Sequence, residues 1–336
     1  MCKLSYFGHH HQIFLIKMDT NKLIDAAKSA LKEYLCVTAE ENVLIISDPQ
    51  LRDVGMALYE AGLTLCKESF YLEMREREIN GQEPPEVISS MMQNVDAVIC
   101  ATKRSMTHTD ARRNATAKGV RVGTMPGINA DIMARCFAAD SNSIIQLNDK
   151  LISILDNAKE IKLTSSLGTD ATFVATGRQI ISSTGVLNKK GAWGNIPSGE
   201  VYFAPIEDKA DGRLVVDGSV AAIGMLTEPI IIDIKDGSIT NIDGGVQAKQ
   251  LKDMLYSVGE KAKIVAEFGV GTNPKAEISG CILEDEKVMG TVHIAFGNNK
   301  SMGGSNDVNI HIDCIIKSPS FSADGKPIME IGKFVV

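Results

Sequence analysis

The chain has 336 residues, 44% of them hydrophobic and 23% charged, with a formal net charge of −7 at neutral pH. That length favours two cores over one, and the acidic balance leaves no basic surplus to neutralise phosphates, so a nucleic-acid partner is not expected. No apolar run reaches bilayer length, and seven scattered cysteines without a CxxC pair suit reduced thiols, so the expectation is a cytoplasmic protein with no membrane partner.

The opening residues, "MCKLSYFGHHHQIFLIK", read as a flexible N-terminal extension over 1–17, followed by a second methionine, Met18. No small-residue cleavage site follows the apolar run, and His9, His10 and His11 read as part of a tail rather than a site. Asp19 or Thr20 is placed to cap the first amphipathic helix. From there short apolar runs alternate with helical patterns. "NVLIISD" predicts a strand, "QLRDVGMALYEAGL" and "PPEVISSMMQN" helices, and "DAVICAT" a second buried strand. "THTDARRNATAKG" predicts a helix closed by Gly119, "VRVGTMPG" a strand, and residues 143–160 a long final helix. Such alternation implies a parallel sheet covered by helices, an α/β N-terminal domain over 18–160.

Past residue 160 the texture changes. Strand-like runs are separated by Asp-Gly pairs beginning at 211, 217, 236, 243 and 324, a short-range hairpin signal because both residues tolerate positive φ. One helix, 245–262, interrupts them, so 161–336 reads as a β-rich α+β domain. The fold class expected is therefore α/β plus α+β.

Two glycine-rich stretches, "GVGTNPK" and "GNNKSMGGSN", match neither nucleotide fingerprint, and no G-x-S-x-G is present. His108, in "SMTHTDARR", reads as a polar residue at a helix N-terminus. Apart from His108 and the tail, the chain has two histidines, and both lie in apolar strands of the second domain. His293 sits within "GTVHIAFG", and His311 shares a strand face with Asp313 in "SNDVNIHIDCII", read as a strand over 305–316. Glu267 in "AKIVAEFGVGTN" and Glu200 in "NIPSGEVYFAP" are carboxylates in similar apolar surroundings, and buried charges need partners or a cation. Tyr202 faces the same way as Glu200 if no bulge intervenes. Five such groups exceed the roughly three protein ligands of one catalytic metal. They suit two divalent ions sharing a bridging carboxylate.

The series "IPSGEVYFAP", "DGRLVVDGSV", "AEFGVGTNP", "LEDEKVMGTVHIAFG" and "HIDCII" resembles the M29 metallo-aminopeptidases, the aminopeptidase T type, and most closely their shorter leucyl aminopeptidase-like branch. The stretch "SMTHTDARRNATAKGVRVGTMPGI" resembles that branch as well. Carried over by position, the family's metal ligands fall on Glu200, Glu267, His293, His311 and Asp313. The resemblance implies two divalent ions (Zn, Co or Mn), a small peptide substrate, a homodimer, and hydrolysis by a metal-activated water in the cleft between domains. Glu267 is then the expected bridging carboxylate and Glu200 the alternative general base. The same scaffold also resembles a ring-cleaving dihydroxypyridine dioxygenase. That alternative implies one Fe(II) held by His293, His311 and Asp313, with both glutamates in supporting roles. A protein that binds metal or peptide without turnover is the third class.

Overall fold

A computed structural model describes residues 20–336. The 1–17 extension, its histidines and Asp19 lie outside the described residues. The first helix begins at Thr20 and runs to Ser29. Val43 to Ile46 and Val98 to Ala101 are buried without interruption, as strands covered on both faces must be. They belong to a parallel sheet ordered Glu68–Glu73, Asn42–Ser47, Ala97–Ala101, Arg121–Thr124 and Trp193–Asn195. Two of these strands depart from the sequence reading. Glu68–Glu73 is an unpredicted edge, mostly half-exposed and so without a clear apolar period. Trp193–Asn195 comes from beyond residue 160, pairing Val122 with Trp193, so the first sheet crosses the expected domain boundary.

Helices Arg52–Leu65, Glu86–Met92 and Asp110–Ala117 fall where the apolar spacing put them or close by, and Ala130–Cys136 is a further helix that the sequence reading did not name. Thr109 and Asn129 cap Asp110–Ala117 and Ala130–Cys136, each accepting from the backbone N–H three residues on. The helix expected over 143–160 spans Ser141–Leu155 instead. Glu160–Thr164 is already a strand, its Ile161 and Leu163 turned into the second core.

The second half forms two antiparallel sheets, of eight and seven strands, packed face to face. Phe268 of the seven-stranded sheet stands at the centre of that core. Its ring centroid lies 5.3 Å from Phe173 and 5.7 Å from Phe321, both on the facing sheet. Helix Val246–Val258 covers one edge region. Of the five Asp-Gly pairs, two make hairpins: Asp236–Gly237 and Asp324–Gly325, each with positive φ at both residues. Asp211–Gly212 lies inside a strand, Asp217–Gly218 leads from one sheet to the other, and Asp243–Gly244 leads into the helix.

Four adjacent strands of the seven-stranded sheet matter most: β1 (Glu200–Phe203), β2 (Val265–Gly271), β3 (Thr291–Gly297) and β4 (His311–Lys317), in the order β4-β3-β2-β1. The strand expected over 305–316 begins only at His311. Residues before it are held as a loop, with Ser305 N–H donating to Glu207 and Asn306 N–H to Asn299. Among the described residues the six cysteines are free, and no helix is long and apolar enough to cross a membrane.

Candidate metal centre

Alternate residues of a strand point to opposite faces, and here the two faces differ completely. Phe268, Val270, Val292, Ile294, Phe296, Ile312 and Cys314 enter the inter-sheet core. The other face carries Glu200, Glu267, His293, His311 and Asp313. Register brings them together. Ala295 lies between Glu267 and Asp313 on its two neighbouring strands, and Gly297 lies opposite His311. With only a methyl group beneath them, the two flanking carboxylates can lean toward each other. A shift in the β2–β3 ladder between Val265 and Glu267 turns the glutamate at this point.

Oxygen and nitrogen atoms of Glu267, His311 and Asp313 lie within 4.8 Å of one another. His311 Nε2 is 3.3 Å from Glu267 Oε2 and 3.3 Å from Asp313 Oδ1. Metal–ligand bonds of about 2.0–2.2 Å at right angles place neighbouring donors about 3 Å apart, so this spacing fits one ion. His311 Nδ1 is 2.7 Å from the Asn298 carbonyl, to which it donates, leaving Nε2 directed at the carboxylates. His311 is also the most open of the five, its side chain 31% exposed. His293, 1% exposed, lies outside this group of three. Its Nε2 is 3.2 Å from Glu267 Oε1, the oxygen turned away from His311. The ring occupies the space above Gly269, where a Cβ would fall 2.0 Å from Nε2.

Electrostatics follow from burial against pairing. Burial disfavours charge on Asp313, but His311, by charge and hydrogen bond, holds its carboxyl well below the ordinary value. Glu267 is likewise lowered against its burial by hydrogen bonds from His293 and His311. Burial would lower both imidazoles, yet the carboxylates push His293 up to about 9 and His311 well above its usual value.

Glu200 joins the cluster from β1, with Oε2 3.7 Å from His293 Nε2. Its other oxygen receives the Lys287 ammonium at 2.8 Å, and Lys287 is also 2.5 Å from Glu286. Burial pushes the Glu286 carboxyl up to about 8 against the pull of Lys287, and its hydrogen bond helps hold Asp313 low. Tyr202 does share the face of Glu200, since Glu200 and Tyr202 pair with Gly271 and Gly269 without a slip. Burial raises its hydroxyl, as do the charges of Glu200 and Glu267. Sequence reasoning missed Glu286 and Lys287. They end the run "EDEK", which reads as a solvated charge cluster, and only the burial of Lys287 and its pairing with Glu286 and Glu200 mark them.

His108, one residue before the cap of helix Asp110–Ala117, comes from the first half of the chain. Partial burial lowers it, and so do the charges of Arg112, Arg113 and His311. Its ring lies 6.4 Å from Trp193, over which the Arg112 guanidinium sits at 3.8 Å. A hollow of about 470 Å³ lies along residues 182–195, and none of the five candidate ligands lines it.

Residues 22–336 match the family described as NicX: 2,5-dihydroxypyridine 5,6-dioxygenase. The chain belongs to this family. A 2,5-dihydroxypyridine 5,6-dioxygenase of Pseudomonas putida KT2440 is 26% identical over 196 residues, covering 54% of this chain and 56% of that relative. The match thus spans little more than half of the relative's length. The solved structure of 2,5-dihydroxypyridine dioxygenase from Pseudomonas putida KT2440 superposes with a TM-score of 0.80, at 19% identity, over 95% of this chain and 98% of its own. Wild-type AmpT from Thermus thermophilus superposes with a TM-score of 0.67, at 16% identity, over 94% and 99%. Identities this low show a shared fold.

These findings correct the sequence reading. The likeness to M29 enzymes is one of fold, and membership of the dioxygenase family overturns the aminopeptidase, its peptide substrate and its hydrolytic water. The expectation of two ions also lacks support, because the described residues group one set of donors, and Glu200 is held by Lys287. The donors that lie together differ by one residue from the triad of the alternative reading. Glu267 stands in the donor group where His293 was expected, because His293 is turned toward β2 over Gly269.

Proposed function

We propose that the chain is a mononuclear non-haem iron enzyme that cleaves the ring of a dihydroxylated, pyridine-type aromatic with O₂. One observation carries the reading. In a chain of this family, Glu267, His311 and Asp313 bring three donors within 4.8 Å on one sheet face. Those three residues would hold the metal. When bound, a ferrous ion supplies open positions for a hydroxylated ring and for O₂.

The remaining side chains hold these donors in place. The Asn298 carbonyl fixes the His311 ring, His293 holds Glu267 from behind, and Glu286 supports Asp313. Lys287 holds Glu200, and the raised Tyr202 hydroxyl stays protonated as a donor on the same face. Because His311 is the most exposed of the group, a planar substrate would enter from its side.

Anaerobic loading of the full chain with Fe(II), followed by oxygen-electrode measurement with 2,5-dihydroxypyridine, tests the proposal. About one iron per chain and one O₂ consumed per ring are expected. Absence of O₂ uptake in a folded, iron-loaded protein, across a panel of dihydroxylated pyridines, would sink it.

A further inference from the structure

Lys287 lies outside the three-donor group, yet it is one of the most deeply buried charges among the described residues. Its side chain is 2% exposed, and Nζ sits 2.8 Å from Glu200 Oε1 and 2.5 Å from Glu286 Oε2. Both its backbone groups are tied down. The Lys287 N–H donates to the Glu284 carbonyl at 2.8 Å, and its carbonyl accepts from Asn273 N–H at 2.8 Å. An ammonium fixed at both ends is placed rather than adventitious, since a buried lysine otherwise gives up its charge or its burial.

Glu200 is the element that gives this lysine meaning. One oxygen faces Lys287, and the other faces His293, which contacts Glu267. Glu200, Glu286 and His293 are groups that a second divalent ion next to the first would use. Lys287 stands at two of them already.

We propose that the Lys287 ammonium is a built-in second cation, a positioning residue that fills the place between Glu200 and Glu286 and limits the centre to one metal ion. The inference rests on the one-ion reading of Glu267, His311 and Asp313. It concerns which cation neutralises the far half of the same sheet face.

The test uses the metal-free full chain titrated with Mn(II), with bound metal counted by mass spectrometry and the spin state followed by electron paramagnetic resonance. Wild type is expected to bind one ion and give a mononuclear six-line spectrum. Lys287→Met is expected to bind two, with the six-line signal replaced by that of a spin-coupled pair. Lys287→Arg keeps one, and Lys287→Met combined with Glu200→Gln returns to one. A folded Lys287→Met that still binds one ion overturns the proposal while leaving the one-ion reading intact. Two ions in wild type overturn both, and no tight Mn(II) in wild type overturns the one-ion reading and the proposal with it. Should Lys287→Met unfold without metal, Mn(II) is expected to restore its melting temperature to a plateau with two ions bound. No restoration would overturn the role of Lys287 as a replaceable cation.

Discussion

Gly269 shows how little space separates a working arrangement from a broken one. It lies two residues from Glu267 on the same face, and the His293 ring occupies the volume its side chain would need. Gly269→Ala is expected to displace the imidazole, loosen Glu267, and weaken Mn(II) or Fe(II) binding about 10–100-fold, as loss of a supporting partner does. Metal titration of a variant with unchanged circular dichroism checks this, and unchanged affinity would show that His293 does not support Glu267. Five titratable residues of this face, Glu200, Glu267, His293, His311 and Asp313, stood out in the sequence, because charge inside an apolar alternation demands an explanation. Their division of labour did not. Glu267 and His293 sit on different strands, and only the register across Ala295 and Gly269 decides which of them reaches His311.

At the scale of elements, the loop before β4 sets where His311 begins. Glu207 anchors it, accepting from Ser305 N–H at 2.6 Å and Asn299 Nδ2 at 3.0 Å, and pairing with Arg178. Against its partial burial, those hydrogen bonds lower the Glu207 carboxyl to about 2. A carboxyl lowered on folding adds stability above its unfolded value of about 4.3, and that contribution is lost as pH falls toward about 2. Glu207→Gln should therefore cost on the order of 1–2 kcal/mol at pH 7. The gap between variant and wild type should close between about pH 4.3 and 2. Urea unfolding across that range reads it, and a gap independent of pH would refute the assignment. The alternating pattern that suggested a strand from 305 is real, but these side-chain anchors take residues 305–310 out of the ladder. Likewise, Asp-Gly predicted hairpins well only where the two flanking runs are neighbours in one sheet, as at 236 and 324.

Across the whole molecule, the segment Ile282–Lys287 joins the two halves. Leu283 packs into the N-terminal core, while Glu284, fully buried, accepts from Arg135 Nε at 2.9 Å and Nη2 at 3.0 Å. Asp285 accepts from Ser219 and the Ser279 and Gly280 N–H groups, and the next two residues reach the metal face. Arg135→Met leaves a buried carboxylate without its cation and should destabilise the protein by about 3–5 kcal/mol. Denaturant midpoints measure this, and a loss below about 1 kcal/mol would mean that Glu284 finds another partner or a proton.

What the sequence determined by itself was local: period-two and period-3.6 runs, the change from alternating to hairpin texture near 160, and the set of polar residues that had no business in apolar strands. Those follow from side-chain hydrophobicity and backbone geometry, which act over a few residues. Tertiary structure decided the rest. Parallel pairing carried Trp193–Asn195 back into the first sheet. Cross-strand register chose Glu267 rather than His293 as the neighbour of His311 and Asp313. Burial turned Glu284, Asp285 and Lys287 from parts of a solvated charge run into groups held by fixed partners, because a charge removed from water must be met by a partner that only the folded chain supplies.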